Sequence, residues 1–455
     1  MRRCDVVRVG IVALFIASCG GGGSGSTASL SSLLPDEGDS VFCGGLGTSS
    51  SPYLICNEAQ FRKINDDPSA SYKLNQDIYL TSEITPISSL TGTFDGNQKT
   101  VYDIEYTDLV GNDAGWILAN NGVIHSVRFS HTNFYGYGFR TGLVARNNGA
   151  LLGVAVTDGA VSAEYADSTG SLGGIVADNY GSIDNCGFQG IILYRANVTV
   201  GGVVGINRAG AEVNWAYLDE NSSISRYSGS SNFFVGGIVG TNLGTIQNAA
   251  MYSGAIVADG SNVGGIAGAN SAGAVIDGAA VLGTVKSNKT AGALGGVAAI
   301  NWGTIKKAVV TESTVIDPLS ATGGSVGGVV GYQSSTAVIE DSYSLATIAA
   351  SGGGGSSGGG LVGDQSGIIR RSYSSASVGS YTYAGAFCGY KIAGSSTTDS
   401  YFYSGSTPST DSCATSKTGA QLASQATFTG WDFVNVWKIS AGEMPTLRWP
   451  DTFPY

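Results

Sequence analysis

One pattern recurs along this chain and leaves few folds open to it. Its clearest copy is Gly236-Gly237-Ile238-Val239-Gly240-Thr241-Asn242-Leu243-Gly244-Thr245-Ile246-Gln247-Asn248. Two glycines open it, an apolar pair follows, and an amide stands five residues after the second glycine. A further glycine then precedes a β-branched pair. With that second glycine as anchor, copies start at Gly115, Gly142, Gly174, Gly202, Gly237, Gly265, Gly296, Gly328, Gly360 and Gly385, spaced 25 to 35 residues apart by subtraction. Five residues beyond the anchors lie Asn120, Asn147, Asn179, Asn207, Asn242, Asn270, Asn301, Gln333, Gln365 and Tyr390. A repeat of this period means stacked coils, because one coil alone cannot bury its apolar face.

The apolar runs Ile175-Val176, Val203-Val204, Ile238-Val239, Val329-Val330 and Leu361-Val362 are too short for helices and rich in β-formers. Coils stacked in a sheet bring equivalent residues to about 4.8 Å. An amide, with donors and acceptors on one group, then bonds the amides above and below it in a ladder. The glycines serve either positive φ at corners or close approach of backbones. The expected fold is a right-handed parallel β-helix of about ten coils with small caps; a propeller of short units is the alternative.

The same run, Gly-Gly-(Ile/Val/Leu)-Val-Gly-x-Asn-x-Gly-x-Ile, resembles the GLUG repeat of bacterial surface proteins. That resemblance covers roughly residues 115–405. It implies an adhesin-like protein, or a relative of the non-catalytic region of immunoglobulin A-specific zinc endopeptidases. It names no ligand.

The ends differ from the middle. Arg2 and Arg3 precede an apolar stretch from Val9 to Ala17 that is too short to span a membrane. Ile16-Ala17-Ser18-Cys19 resembles a lipobox. It implies a lipoprotein signal peptide over 1–18, lipidation of Cys19, and anchoring in the outer membrane or at the cell surface. Residues 19–40 read as a Gly/Ser tether. Residues 41–108 read as an N-terminal cap. In it, Asn57 caps a short helix through Phe61 and Ile64, Tyr72 to Ile78 is a strand, and Gly92 to Asn97 is a bend. Residues 109–405 are the repeats. Residues 406–455 read as a C-terminal aromatic cap, with a capping box at Thr418 to Gln421. There Trp431, Phe433, Trp437, Leu447 and Trp449 form either a plug on the last coil or an exposed sugar-stacking platform.

Beyond Cys19, an exported chain meets an oxidising compartment. Cys43 with Cys56 would staple the N-terminal cap, and Cys388 with Cys413 would tie the last coil to the C-terminal segment. Cys186 is then a buried thiol. No metal or other cofactor is expected, since no cysteine has metal-site spacing and His125 and His131 are the only histidines.

No catalytic residue is assigned. There is no His-Glu-x-x-His, no Gly-x-Ser-x-Gly elbow with a triad order behind it, and no phosphate loop. Acids for a carbohydrate-active enzyme would be Asp178, Asp184, Asp277, Glu340, Asp341 and Asp364, with Arg370 and Arg371. A solvated charged face is the simpler reading. The formal net charge of −11 without a basic stripe argues against nucleic acid as a partner. The sequence therefore predicts a surface-anchored, non-catalytic adhesin or binding rod. Its membrane contact would be through the lipid, and its ligand a host-matrix protein or a glycan. A polysaccharide lyase or hydrolase and a purely structural envelope protein are the alternatives. Oligomeric state is not legible.

Overall fold

Each copy of the pattern forms one short strand, and the copies stack in parallel. The computed structural model describes residues 41–449 except 165–169, 196–197, 227–232, 253, 259–261, 288–291, 320–322 and 351–355. The expected signal peptide, Cys19 and tether lie outside the described residues. From Val41 to the closing loop at 407–414 the described chain is a parallel β-solenoid of about nine turns.

Three sheets wrap one core. The strands that end on the amides, from Ile117–Asn120 to Cys388–Lys391, make a ten-stranded sheet, called here the amide sheet. The strands just before the double glycine, from Arg140–Thr141 to Tyr383–Gly385, make a nine-stranded sheet. The rest of each coil joins a long third sheet, bent once per turn. One apolar cluster fills the interior from Phe42 to Cys413.

The motif glycines act by close approach. Gly236, Gly237 and Gly240 are not among the residues with positive φ. A Cβ on Gly237 would stand 2.1 Å from the Gly265 carbonyl oxygen of the next coil. A Cβ on Gly240 would stand 2.6 Å from Gly205 O and 2.7 Å from Val200 O, where the nine-stranded sheet folds onto the amide sheet. Positive φ is used elsewhere, at a bend of the third sheet six or eight residues after the amide. There Ser126, Asn185, Trp215, Asn248, Lys307, Asp341, Arg371 and Asp399 are all left-handed, as are Gly153 and Gly278. The residue after that bend points inward and is small in most coils. Cys186 occupies this place, as do Ala216, Ala249, Ala279, Ala308, Ser342, Ser372 and Ser400. Burial pushes the Cys186 thiol up to about 12.

Both ends depart from the expected caps. The N-terminal segment does carry the helix Glu58–Arg62, with Asn57 accepting from Gln60 N. Phe61 of that helix stacks on Trp116 at 5.5 Å and covers the first coils. The segment is more than a cap, however. Its strands Tyr53–Ile55, Ser71–Leu74 and Thr93–Tyr102 already pair in parallel with one another and with the repeat proper. The expected bend at Gly92 to Asn97 lies mostly within the last of these, whose register shifts at the left-handed Asn97 and Gln98. A disulfide joins Cys43 to Cys56. Backbone bonds from Cys43 and Gly44 to Leu54 cover the first strand edge.

The last coil is closed by residues 407–414, not by the aromatic residues. Val378 N and Ala386 N donate to Thr407 O and Thr410 O. The Asp411 carboxylate accepts from Phe387 N and Cys388 N, both at 2.7 Å, and Cys388 is joined to Cys413. The aromatic segment instead turns back along the side of the solenoid. Leu422, Phe428, Trp431, Trp437 and Leu447 pack on the outward column Val309, Tyr343 and Tyr373, and Trp449 reaches Ala250 and Ala280. The plug reading therefore fails. The column is apolar and offers an open side to cover, whereas the last core is already sealed by the loop before it. The sugar-platform reading fails too, because Trp437 is 0% and Trp431 7% exposed.

Candidate functional site

Parallel pairing in register sets the amides directly above one another, Asn147 on Asn120 and Asn270 on Asn242. Asn120 Nδ2 donates to Asn147 Oδ1 at 2.7 Å. The bonds continue through Asn179, Asn207, Asn242 and Asn270 to Asn301 at 2.8 to 2.9 Å. Each Oδ1 also meets a local backbone donor in several coils, as Asn242 Oδ1 does from Gly244 N. Nδ2 also serves a carbonyl of the next coil, as Asn207 serves Thr245 O. The asparagines are fully buried.

Gln333 and Gln365 share the register but not the bonding. Asn301 Nδ2 donates to Val338 O. Gln333 Nε2 donates to Ala337 O and Ile368 O, and its Oε1 has no partner. Gln365 bonds Ser396 O and Thr397 Oγ1. The extra methylene carries the amide past the position from which a neighbour is reached. In the last coil Gln365 pairs with Lys391, one residue beyond Tyr390. Ala386 stands there where the second glycine stands in other coils, since Gly385 pairs with Gly359.

The acids an enzyme would use are engaged. Asp178, whose side chain is 1% exposed, accepts from Arg140 Nε at 2.9 Å, Arg208 at 2.8 Å and Ser171 Oγ at 2.9 Å. Asp184 accepts from Asn214, and Asp277 pairs with Lys306 and Lys307. Asp364 shares its column with Asp178 and accepts from Ser325. Glu340 pairs with Arg370 at 3.2 Å and Arg371 at 3.0 Å, and Asp341 with Arg371 at 2.8 Å. Hydrogen bonding to Asp341 holds the Arg371 guanidinium above its usual range. Asp341 also accepts from the Trp437 indole at 3.1 Å. That cluster latches the C-terminal strap. His125 lies 3.6 Å from Asp95; exposed His131 lies 3.7 Å from Asp103 and 3.9 Å from Asp158. These neighbours come from adjacent coils, so sequence adjacency hides them.

One groove faces solvent beside the ladder. Its volume is about 620 Å³. Its floor is a stack of corner glycines, Gly92, Gly122, Gly149 and Gly181, so close that a Cβ on Gly149 would stand 2.0 Å from Gly122 O. One wall is the column immediately after the ladder: Asn121, Asn148 and Tyr180. Asn148 Nδ2 donates to Asn121 Oδ1 at 2.8 Å, and both side chains are exposed. Tyr180 is 45% exposed and carries two guanidinium groups, Arg146 at 5.8 Å and Arg208 at 5.5 Å from the ring centre. Glu212 lies at the far end. The sequence showed these residues, each one step beyond a ladder position. It did not show that this outward column borders an open groove.

No family model matches the chain, so the GLUG resemblance rests on the quoted residues. No curated protein matches it. Among solved structures it is similar to a "putative immunoglobulin A1 protease from Bacteroides ovatus", at 16% identity and TM-score 0.31, over 90% of this chain and 96% of that one. It is also similar to a structure named "IgA1 Protease", at 12% identity and TM-score 0.32, over 86% of this chain and 24% of that one.

Proposed function

We infer that this chain is a surface-anchored lipoprotein that binds through the side of its β-helix and performs no catalysis. The observation that supports this most is the open groove across five coils with exposed amides and a tyrosine on its wall. The acids named for an enzyme are in ion pairs or hydrogen bonds, which fits the same reading. Long solenoid sides are suited to extended ligands. The lipobox around Cys19 supplies the anchor and favours the outer membrane.

Two measurements test this. Cys19→Ser is expected to move the mature protein out of the membrane fraction; retention would sink the lipoprotein. Purified protein is expected to be retained on cells or on immobilised matrix proteins and glycans, and to release no new reducing ends from them. Any release would replace the adhesin with the polysaccharide-active enzyme.

A further inference from the structure

We propose that the glycine-floored groove binds an acidic glycan, with a sugar carboxylate or sulfate held at Tyr180 by Arg146 and Arg208. This rests on the binding-rod reading and gives it a site. Three observations meet here. The first is charge. Tyr180 lines the groove and carries Arg146 and Arg208 over its ring; Asp178 is taken by Arg208 and by Arg140, which also pairs with Asp113. Arg146 has no ion-pair partner among the described residues, and its Nε is buried without a hydrogen bond. An unpaired guanidinium stacked on a tyrosine is a pre-organised donor for a planar anion. It stands out in a chain whose formal charge is −11.

The second is the wall. Asn121 and Asn148 present exposed amides one coil apart, the kind of donor and acceptor pair that hydroxyl groups satisfy. The third is spacing. Coils advance by about 4.8 Å, close to the advance of one sugar in an extended pyranose chain. A glycan lying along the stack would therefore place successive sugars against Asn121, Asn148 and Tyr180. The open volume of about 620 Å³ over the glycine floor leaves room for the rings.

The test is binding of labelled oligogalacturonate, a chondroitin sulfate oligomer, an unsubstituted β-1,4-glucan oligomer and a polyglutamate peptide to the full mature chain. Saturable binding of an acidic oligosaccharide, weakened by salt and absent for the glucan and the peptide, is expected. Arg146→Gln should weaken it about tenfold, the loss of one charge-assisted contact. Lys391→Gln removes the same charge far from the groove and should leave binding unchanged. Glu212→Gln should tighten binding by removing a repelling carboxylate. Thermal melts of each variant separate lost binding from lost folding. The proposal is overturned if neither acidic oligomer binds, if the glucan or polyglutamate binds equally, or if Arg146→Gln and Lys391→Gln behave alike. If it is overturned while cells or matrix still retain the protein, the groove assignment falls and the binding rod stands.

Discussion

The coils from Asn120 to Asn301 and the coils from Gln333 onward solve the same stacking problem at different corners. In the first set, buried asparagines bond one another directly. In the second set the amides lose contact, and serines at the left-handed bend take over. Ser342 Oγ accepts from Ala308 N, Ser372 Oγ from Ser342 N, and Ser400 Oγ from Ser372 N. The exchange occurs within one turn: the amide bonds end at Asn301 and the serine bonds begin at Ala308. A parallel stack thus needs one saturated polar column to hold its register, and the column need not stay at one corner. The serine coils carry further support from outside, the strap and the Cys388–Cys413 disulfide.

If this division is real, the two regions should fail differently. The largest effect is expected from Trp437→Ala, which empties a fully buried site and removes the indole bond to Asp341. A loss of about 3–5 kcal/mol should appear in the coils after Asn301, with hydrogen exchange leaving the asparagine coils protected. Uniform loss of protection along the chain would erase the distinction. Next is Asn242→Leu, which leaves Asn207 Nδ2 and Asn270 Oδ1 each short of a partner. About 1–3 kcal/mol per orphaned buried group should shift the urea midpoint of the whole protein. Ser372→Ala removes one acceptor for Ser342 N and one bond to Arg370 O. A loss of about 1 kcal/mol, confined to the late coils, is expected in the same assay. The smallest effect belongs to Gln333→Leu, which breaks no amide–amide bond and gives up only the Nε2 bonds to Ala337 O and Ile368 O. Its urea midpoint should stay closer to wild type than that of Asn242→Leu. Equal losses at both positions would show that the glutamine belongs to the ladder after all.

The fold was legible because its signal repeats. The Gly-Gly pair, the apolar pair and the amide recur in register, and each copy corroborates the others. The helix at Asn57 and the capping box at Thr418 were legible for the same local reason, a side chain that satisfies a nearby backbone donor. What escaped is what depends on contacts between coils. Gln333 carries the same amide as Asn301, and only geometry shows that one methylene takes it out of the chain of bonds. Tyr343, Tyr373 and Tyr401 stand in one column, yet sequence alone does not say that they face outward and await cover by Trp431 and Trp437. The left-handed bend left a faint trace, an Asn, Asp or Gly in six of its ten positions. The final anchor was misplaced by one residue because Ala386 replaces the glycine that marks it elsewhere.

The asparagine chain also has a direction. From Asn120 to Asn301 every Nδ2 points to the following coil and every Oδ1 to the preceding one. Seven amide dipoles, joined by six bonds, therefore add head to tail in a medium that screens them poorly, and each bond polarises the next. The result resembles a helix macrodipole built from side chains, with its negative pole at Asn120 and its positive pole at Asn301. The solenoid is electrically polar along its axis even where no charged residue contributes, and a substitution at one asparagine weakens bonds it does not itself make.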